Sequence, residues 1–226
     1  MFINSKTKPA VKICCIHSVH EARIAIENGA SAVGLVSAMP SGPGVISEER
    51  IAKIASELPP DIASFLLTSL TDADAVIAQH KRCNTKVIQL CDRLSRGCHA
   101  DIKRALPQVK LVQVVHVRGQ ASIDEALRES MSVDALLLDS GNQDLSVKEL
   151  GGTGRIHDWN YSRRIVEECK IPVFLAGGLT HENVGRAVKA VNSFGLDICS
   201  GVRTDGKLDA AKVKKFFEAV ASARRL

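Results

Sequence analysis

What most constrains this chain is a unit that recurs eight times: a short apolar run, a turn, then an amphipathic stretch. VKICCI (11–16) leads to HEARIAIENGA, SAVGLV (31–36) to SEERIAKIASEL, ASFLLT (63–68) to DADAVIAQHK and KVIQLC (86–91) to LSRGCHADIKRAL. KLVQVVHV (110–117) leads to SIDEALRES, DALLLD (134–139) to a long loop and DWNYSRRIVEEC, PVFLAG (172–177) to THENVGRAVKAV, and LDICSG (196–201) to DAAKVKKFFEAVA. The runs are apolar without alternation, the pattern of parallel strands buried on both faces. The stretches between them have helical spacing: Ile51, Ile54 and Leu58 share one face, and Glu49, Arg50 and Lys53 lie off it. Ser47, Asp72 and Thr180 stand where N-caps are wanted. Parallel neighbours need a crossover, which a helix supplies. Eight units in 226 residues predict an α/β chain forming a single (β/α)8 TIM barrel, a fold typically of about 250 residues. A doubly wound open sheet fits less well, because its first strand is followed by a glycine-rich turn and here IHSVHE follows. With no linker or composition break, residues 1–226 read as one domain, with 1–10 as an N-terminal extension.

Composition narrows the function. Aromatic residues are only 4%, so the core is built from Val, Leu, Ile and Ala, and base-stacking RNA modules are disfavoured. The net charge of +5 is dispersed, with one short cluster at Arg224 and Arg225; this suits attraction to small anions and argues against nucleic acid as a partner. No apolar run approaches the roughly 20 residues of a membrane span, and MFINSKTKPAVK lacks the marks of a signal peptide, so no membrane association and a cytoplasmic location are expected. The seven cysteines form no CxxC pair, which disfavours a disulfide framework and a zinc ribbon. Cys91, Cys98 and His99 read as ordinary reduced residues, and no metal is expected. A bridge between adjacent Cys14 and Cys15 would be strained, since neighbouring strand residues face opposite ways.

In a (β/α)8 barrel the reactive groups collect at the C-terminal ends of the strands. That rule selects Cys14 and Cys15 after the first strand, Asp139 after the sixth, and three glycine loops: GGTG (151–154), AGGL (176–179) and CSGV (199–202). Glycine lets backbone N–H groups approach a ligand with no Cβ in the way. Three such loops on one side of the mouth point to a phosphate site, with Gly152, Gly154, Gly177, Gly178, Ser200 and Gly201 as its residues. GGTG lacks the Lys-Ser/Thr of a P-loop, so nucleotide hydrolysis is not indicated. Alone, Cys14 reads as a small core residue. Asp139 is more suggestive, since a carboxylate after three leucines is costly to bury without purpose. Together, a strand-end thiolate and a buried carboxylic acid make a general base and a general acid.

These residues resemble one family, phosphoribosylanthranilate isomerase of tryptophan biosynthesis. Lys12-Ile13-Cys14-Cys15 matches its first strand K-I-C-G; DALLLDS (134–140), GGTGRIHDW (151–159), LAGGLTHENV (175–184) and GLDICSGV (195–202) match its later motifs in order and in register. The resemblance implies an Amadori rearrangement of N-(5-phosphoribosyl)anthranilate to a 1-deoxyribulose aminoketose. Carried over by motif, Asp139 protonates the furanose ring oxygen and opens it to a Schiff base, and Cys14 removes the C2′ proton. The glycine loops hold the sugar phosphate, with Asp197 near it. No cofactor is implied, and the expected partner is a phosphosugar substrate of a monomer or homodimer.

Four positions depart from the family pattern. The second loop, SGPGVISEE (41–49), has Gly44 where the family has an arginine for the anthranilate carboxylate. Cys15 replaces the glycine after the catalytic cysteine, Cys91 replaces the histidine of Q-L-H-G, and Arg203 replaces the glutamate after S-G-V. His116 and Arg118 after the fifth strand, or Arg93 and Arg96 after the fourth, are placed to substitute on the aglycone side, although solvated loop charge is the plainer reading of each arginine. A divergent paralogue that acts on, or only binds, another phosphosugar is therefore the alternative. The SGPG loop has the composition of a lid or of a simple turn. His17 and His20 are expected to be exposed, His17 near the mouth, and Asp158 with Trp159 to cap and pack the sixth helix.

Overall fold

The computed structural model describes residues 9–152 and 154–223. Eight parallel strands close into a barrel, each followed by a helix. The strands are β1 (Ala10–Ile13), β2 (Ala32–Val36), β3 (Ala63–Thr68), β4 (Val87–Leu90), β5 (Lys110–His116), β6 (Ala135–Asp139), β7 (Val173–Leu175) and β8 (Gly195–Ile198). The helices are α1 (Val19–Glu27), α2 (Glu48–Ser56), α3 (Ala73–Cys83), α4 (His99–Ala105), α5 (Ala121–Ser130), α6 (Trp159–Glu168), α7 (Val184–Val191) and α8 (Ala210–Ala223). A 3₁₀ turn, Ser200–Val202, and a small hairpin, β9 (Arg203–Thr204) with β10 (Lys207–Leu208), join β8 to α8. β1 pairs with β8 and closes the ring, setting Lys12 beside Asp197 and Ile13 beside Ile198.

The strands are buried along almost their whole length because both faces are covered. Outward residues such as Ile13, Leu35, Leu66 and Ile198 pack under the helices; inward ones such as Phe65, Val112, Leu137 and Phe174 fill the barrel. Phe65 and Phe174 meet edge to face at 6.2 Å. The expected caps hold at α2, where Ser47 accepts from Arg50 N, and at α3, where Asp72 accepts from Asp74 N. Ile51 and Ile54 form the buried face of α2, while Leu58 lies past its end. Asp158 caps α6 and Trp159 packs on the core.

Three expectations need correction. Thr180 does not cap α7: the cap position is Asn183, whose side chain accepts from Thr180 N and so sets a turn before the helix. The strands β1, β7 and β8 stop at Ile13, Leu175 and Ile198, short of the apolar runs: left-handed backbone at Cys15 and Gly177 follows β1 and β7, and the 3₁₀ turn at Ser200 follows β8. Ala10 belongs to β1, so the extension is shorter than 1–10; residues 1–8, Thr153 and the Arg224–Arg225 cluster lie outside the described residues. No described helix is long and apolar enough to cross a membrane.

Candidate active site

The barrel's C-terminal mouth opens into a cleft of roughly 680 Å³, counting space open to solvent. Cys14, Asp139, Cys91 and Asp197 line it, together with Gly152, Gly154, Gly177, Gly178 and Ser200. These residues, singled out from the sequence at separate strand ends and loops, thus meet in one cavity.

Asp139 closes β6 and is largely buried. Its Oδ1 accepts from Ser140 N at 2.7 Å, which fixes the carboxyl at the cavity wall. Cys14 lies directly past β1, anchored by its N–H to Ile198 O at 2.8 Å. Below it Lys12 is fully buried and pairs with Asp197 at 2.8 Å, its ammonium 5.3 Å from the Phe65 ring centre. A Cβ on Gly34 would stand 2.8 Å from Cys14 Sγ and 3.1 Å from Lys12 Nζ, so the absence of a side chain there brings thiol and ammonium together. Burial works against the Lys12 charge, but Asp197 and the thiols outweigh it and hold the ammonium above its ordinary range. Burial raises the Asp197 carboxyl, opposed by Lys12. A hydrogen bond from Cys15 holds the Cys14 thiol below its ordinary range against its burial, and the Lys12 charge adds to that effect. Cys14 is thus the thiol placed to ionise. Burial pushes the Cys91 thiol up and keeps it neutral.

The aglycone-side candidates behave differently. His116 is paired in register with Asp139, but its ring turns away from the cleft: Nε2 meets Cys91 O at 3.3 Å, and burial lowers its basicity. Arg118 lies outside the cleft, bound to Asn142 at 2.9 Å and paired with Asp144. Arg93 is held by Glu125 and Arg96 by Asp72. Each arginine already has a carboxylate partner on a neighbouring βα unit, which its position in sequence does not show. No arginine or lysine is among the described residues that line the cleft. Gly201 does not line it either; its α-carbon packs on Leu179, where a Cβ would come within 2.1 Å of the carbonyl oxygen. His17 is half-buried and donates its backbone N–H to Glu21, while His20 is exposed. Cys98 and His99 belong to the start of α4, not to the cleft. Among the described residues no group of three or more His, Cys, Asp or Glu is arranged to hold a metal ion.

Three of the departures meet beside Cys14. Cys15 has φ +60°, a left-handed backbone that favours glycine. Arg203 supports it: the guanidinium donates to Cys15 O and, at 3.4 Å, to Cys14 O, and pairs with Glu21 at 3.2 Å. Burial disfavours that guanidinium's charge, and Glu21 more than restores it. The Cys15 thiol lies against Pro43 O at 3.6 Å. Gly44 has φ +91°, and a Cβ there would stand 2.6 Å from Cys15 Cβ. The side chain of Cys15 and the missing side chain at 44 are therefore two halves of one packing arrangement. Lys12 and Cys199, to which the sequence assigns no role of their own, also border this region. Lys12 is legible as the lone charge of an inward-facing strand position, and Cys199 as the first residue of the CSGV loop.

The fold and the placing of this cleft define a (β/α)8-barrel enzyme. Residues 11–219 match the model of the N-(5′-phosphoribosyl)anthranilate (PRA) isomerase family. The chain is 36% identical over 208 residues to N-(5′-phosphoribosyl)anthranilate isomerase 2 of Methanosarcina mazei, covering 91% of each chain. It is 33% identical over 229 residues to the isomerase of Methanosarcina acetivorans, covering 96% of this chain and 94% of that one. The crystal structure of the Thermotoga maritima enzyme superposes with a TM-score of 0.77 at 26% identity, covering 96% of this chain and 99% of that chain. The chain belongs to the N-(5′-phosphoribosyl)anthranilate isomerase family and is an isomerase.

Proposed function

We propose that this protein converts N-(5′-phosphoribosyl)anthranilate to the 1-deoxyribulose 5-phosphate aminoketose of tryptophan biosynthesis, with Asp139 as general acid and Cys14 as general base. The observation that carries this reading is that both groups line one cleft with glycine loops, in a chain of this family. Asp139 delivers a proton to the ring oxygen, and the ring opens to a Schiff base between C1′ and the anthranilate nitrogen. The Cys14 thiolate takes the C2′ proton, giving an enolamine that tautomerises to the ketone. Lys12 stands below as the fixed positive charge that favours the thiolate. The backbone around Gly152, Gly154, Gly177, Gly178 and Ser200 receives the phosphate, where N–H groups reach it without intervening Cβ atoms.

A second reading is favoured by the absence of arginine and lysine from the described cleft lining. A substrate of the same phosphoribosyl type whose aglycone lacks the carboxylate would suit that wall, and loss of an Arg–carboxylate contact costs about 1.5–3 kcal/mol in binding. The test of both is turnover of N-(5′-phosphoribosyl)anthranilate, followed by loss of its fluorescence, in the wild type and in Cys14→Ser and Asp139→Asn. The first reading expects turnover of at least about 10⁴ M⁻¹s⁻¹. Turnover below that with tight phosphosugar binding selects the second, and turnover unaffected by Asp139→Asn removes the assigned acid.

A further inference from the structure

The mechanism uses Cys14 but none of the other three thiols that line the cleft, Cys15, Cys91 and Cys199. Cys199, just past β8, donates its S–H to Cys15 Sγ at 2.7 Å. That separation is inside van der Waals contact of two sulfurs, though about a third longer than the roughly 2.05 Å of a disulfide bond. The two residues are 184 positions apart in sequence, brought together by the β1–β8 seam that closes the barrel. Both line the cleft; Cys15 is buried and Cys199 is partly exposed. Cys15 is boxed in: Pro43 O meets its sulfur from one side, and the bare Gly44 lets the second loop sit directly against it. The left-handed backbone at Cys15 takes its side chain out of the extended arrangement that makes adjacent cysteines point apart.

We propose that Cys15 and Cys199 form a modification site, a thiol pair that closes to an intramolecular disulfide in the presence of a small-molecule disulfide such as glutathione disulfide, and that closure suppresses the chemistry of the adjacent Cys14. Cys199, the more exposed thiol, loses its proton and attacks one sulfur of the oxidant, expelling one glutathione thiolate and forming a mixed disulfide. Cys15 then loses its proton and attacks the Cys199 sulfur, expelling the second glutathione thiolate. The two protons end on the two glutathiones, the cysteine pair is oxidised by two electrons and the oxidant is reduced by two. Closure consumes the Cys15 S–H, the group whose hydrogen bond favours the Cys14 thiolate, so the base is weakened at the moment the bridge forms. It also ties the end of β1 to the end of β8 beside Ser200, narrowing the cleft between base and glycine loops.

The effect on turnover rests on the isomerase reading; bridge formation does not, and the experiment separates them. The purified protein is incubated with glutathione disulfide, blocked with an alkylating agent and digested with trypsin. The expected product is a cross-link between peptides 13–23 and 190–203, cleaved by dithiothreitol, and absent in Cys199→Ser. Turnover of the oxidised protein falls about tenfold or more and returns on reduction, as expected for impairing a general base. Cys98→Ser, which removes an exposed thiol far from the cleft, leaves cross-link and loss unchanged. Absence of that cross-link in the wild type overturns the proposal, as does its persistence in Cys15→Ser, which would place the bridge at Cys14. A cross-linked protein with full turnover overturns the suppression. Reduced protein without isomerase turnover sinks the isomerase reading alone, because the peptide map still scores the pair.

Discussion

Replacing Lys12 with methionine probes the ion pair at the centre of the barrel and its influence on the cleft in one experiment. The ammonium is fully buried, bonded to Asp197 at 2.8 Å, with Phe65 below and Cys14 above. Methionine fills much of the same volume but leaves the Asp197 carboxylate without its counter-ion. Breaking a buried pair in this way costs about 3–5 kcal/mol. For a chain of this size that is a fall in Tm of about 10 °C. Asp197 can relieve part of the cost by taking up a proton, since burial already raises its carboxyl and Lys12 is what opposes this. A carboxyl raised in the folded state binds a proton that the unfolded chain has released, so its contribution to stability is present at acid pH and lost as pH rises. The Lys12→Met deficit should therefore be smaller at pH 5 than at pH 8. The double variant Lys12→Met/Asp197→Leu should recover most of the loss, because an apolar replacement of a buried pair is close to neutral.

The same variant changes the base. The Gly34 distances place Lys12 Nζ within about 6 Å of Cys14 Sγ, and at an effective dielectric of about 20 a unit charge at that range is worth about 2–3 kcal/mol. Asp197 exerts an opposite field that also disappears when it protonates, so the net effect on Cys14 is the part of the Lys12 field that Asp197 does not cancel. The acid limb of kcat, which reports formation of the thiolate, moves upward by that amount. Urea unfolding at the two pH values, a double-mutant cycle with Asp197→Leu and a pH–rate profile measure all three. A stability deficit independent of pH, or single costs that add in the double variant to within about 0.5 kcal/mol, would refute the coupled-pair account. An unmoved acid limb would refute the link to Cys14.

Other outcomes are equally specific. Asp139→Asn should lower kcat by about 10²–10⁴-fold with an unchanged circular dichroism spectrum, the loss expected for a general acid. Gly44→Arg alone should not improve substrate binding, since its Cβ would collide with Cys15 at 2.6 Å and its φ is +91°; with Cys15→Gly added, KM for the carboxylate-bearing substrate should fall about tenfold, the worth of roughly 1.4 kcal/mol. Arg203→Met should flatten the acid side of the stability profile. Burial works to raise the Glu21 carboxyl, but Arg203 and the N–H groups of His17 and Leu208 hold it below its ordinary range, so its contribution is present above the unfolded value and lost as pH falls through the folded one. Thermal unfolding between pH 3 and 6 reads the difference.

The barrel was legible because its signal is repeated: eight apolar runs at similar spacing outweigh uncertainty about any one of them. Strand ends were not legible, because Cys14 and Ala176 are as apolar as the strands they follow, and only backbone geometry ends β1 at Ile13 and β7 at Leu175. Cys14, Asp139 and the glycine loops could be placed at one mouth since the fold fixes where strand ends gather. The failures were of partnership. Arg118, Arg93 and Arg96 occupy suitable loops, but nothing local shows that Asp144, Glu125 and Asp72 already hold them. Lys12 and Asp197 are 185 residues apart, and only barrel closure makes them neighbours.

The same blindness applies to the departures from the family pattern, and here it changes their meaning. Read one at a time, Gly44 is a lost arginine, Cys15 a substituted glycine and Arg203 a reversed charge. In space they are a single rearrangement. A cysteine at 15 keeps the left-handed backbone that glycine would hold freely, at a cost of about 1–2 kcal/mol. Arg203 offsets it by donating to the Cys14 and Cys15 carbonyls, and its own buried charge is met by Glu21. The Cys15 side chain takes the space that a Cβ at 44 would need, so an arginine there is incompatible with cysteine at 15. Arg203 thus sets its positive charge against the backbone beneath the base. The consequence is that reverting Gly44 to arginine alone should damage the protein more than reverting it together with Cys15 to glycine. A single reversion that improves both stability and turnover would show that these positions are independent.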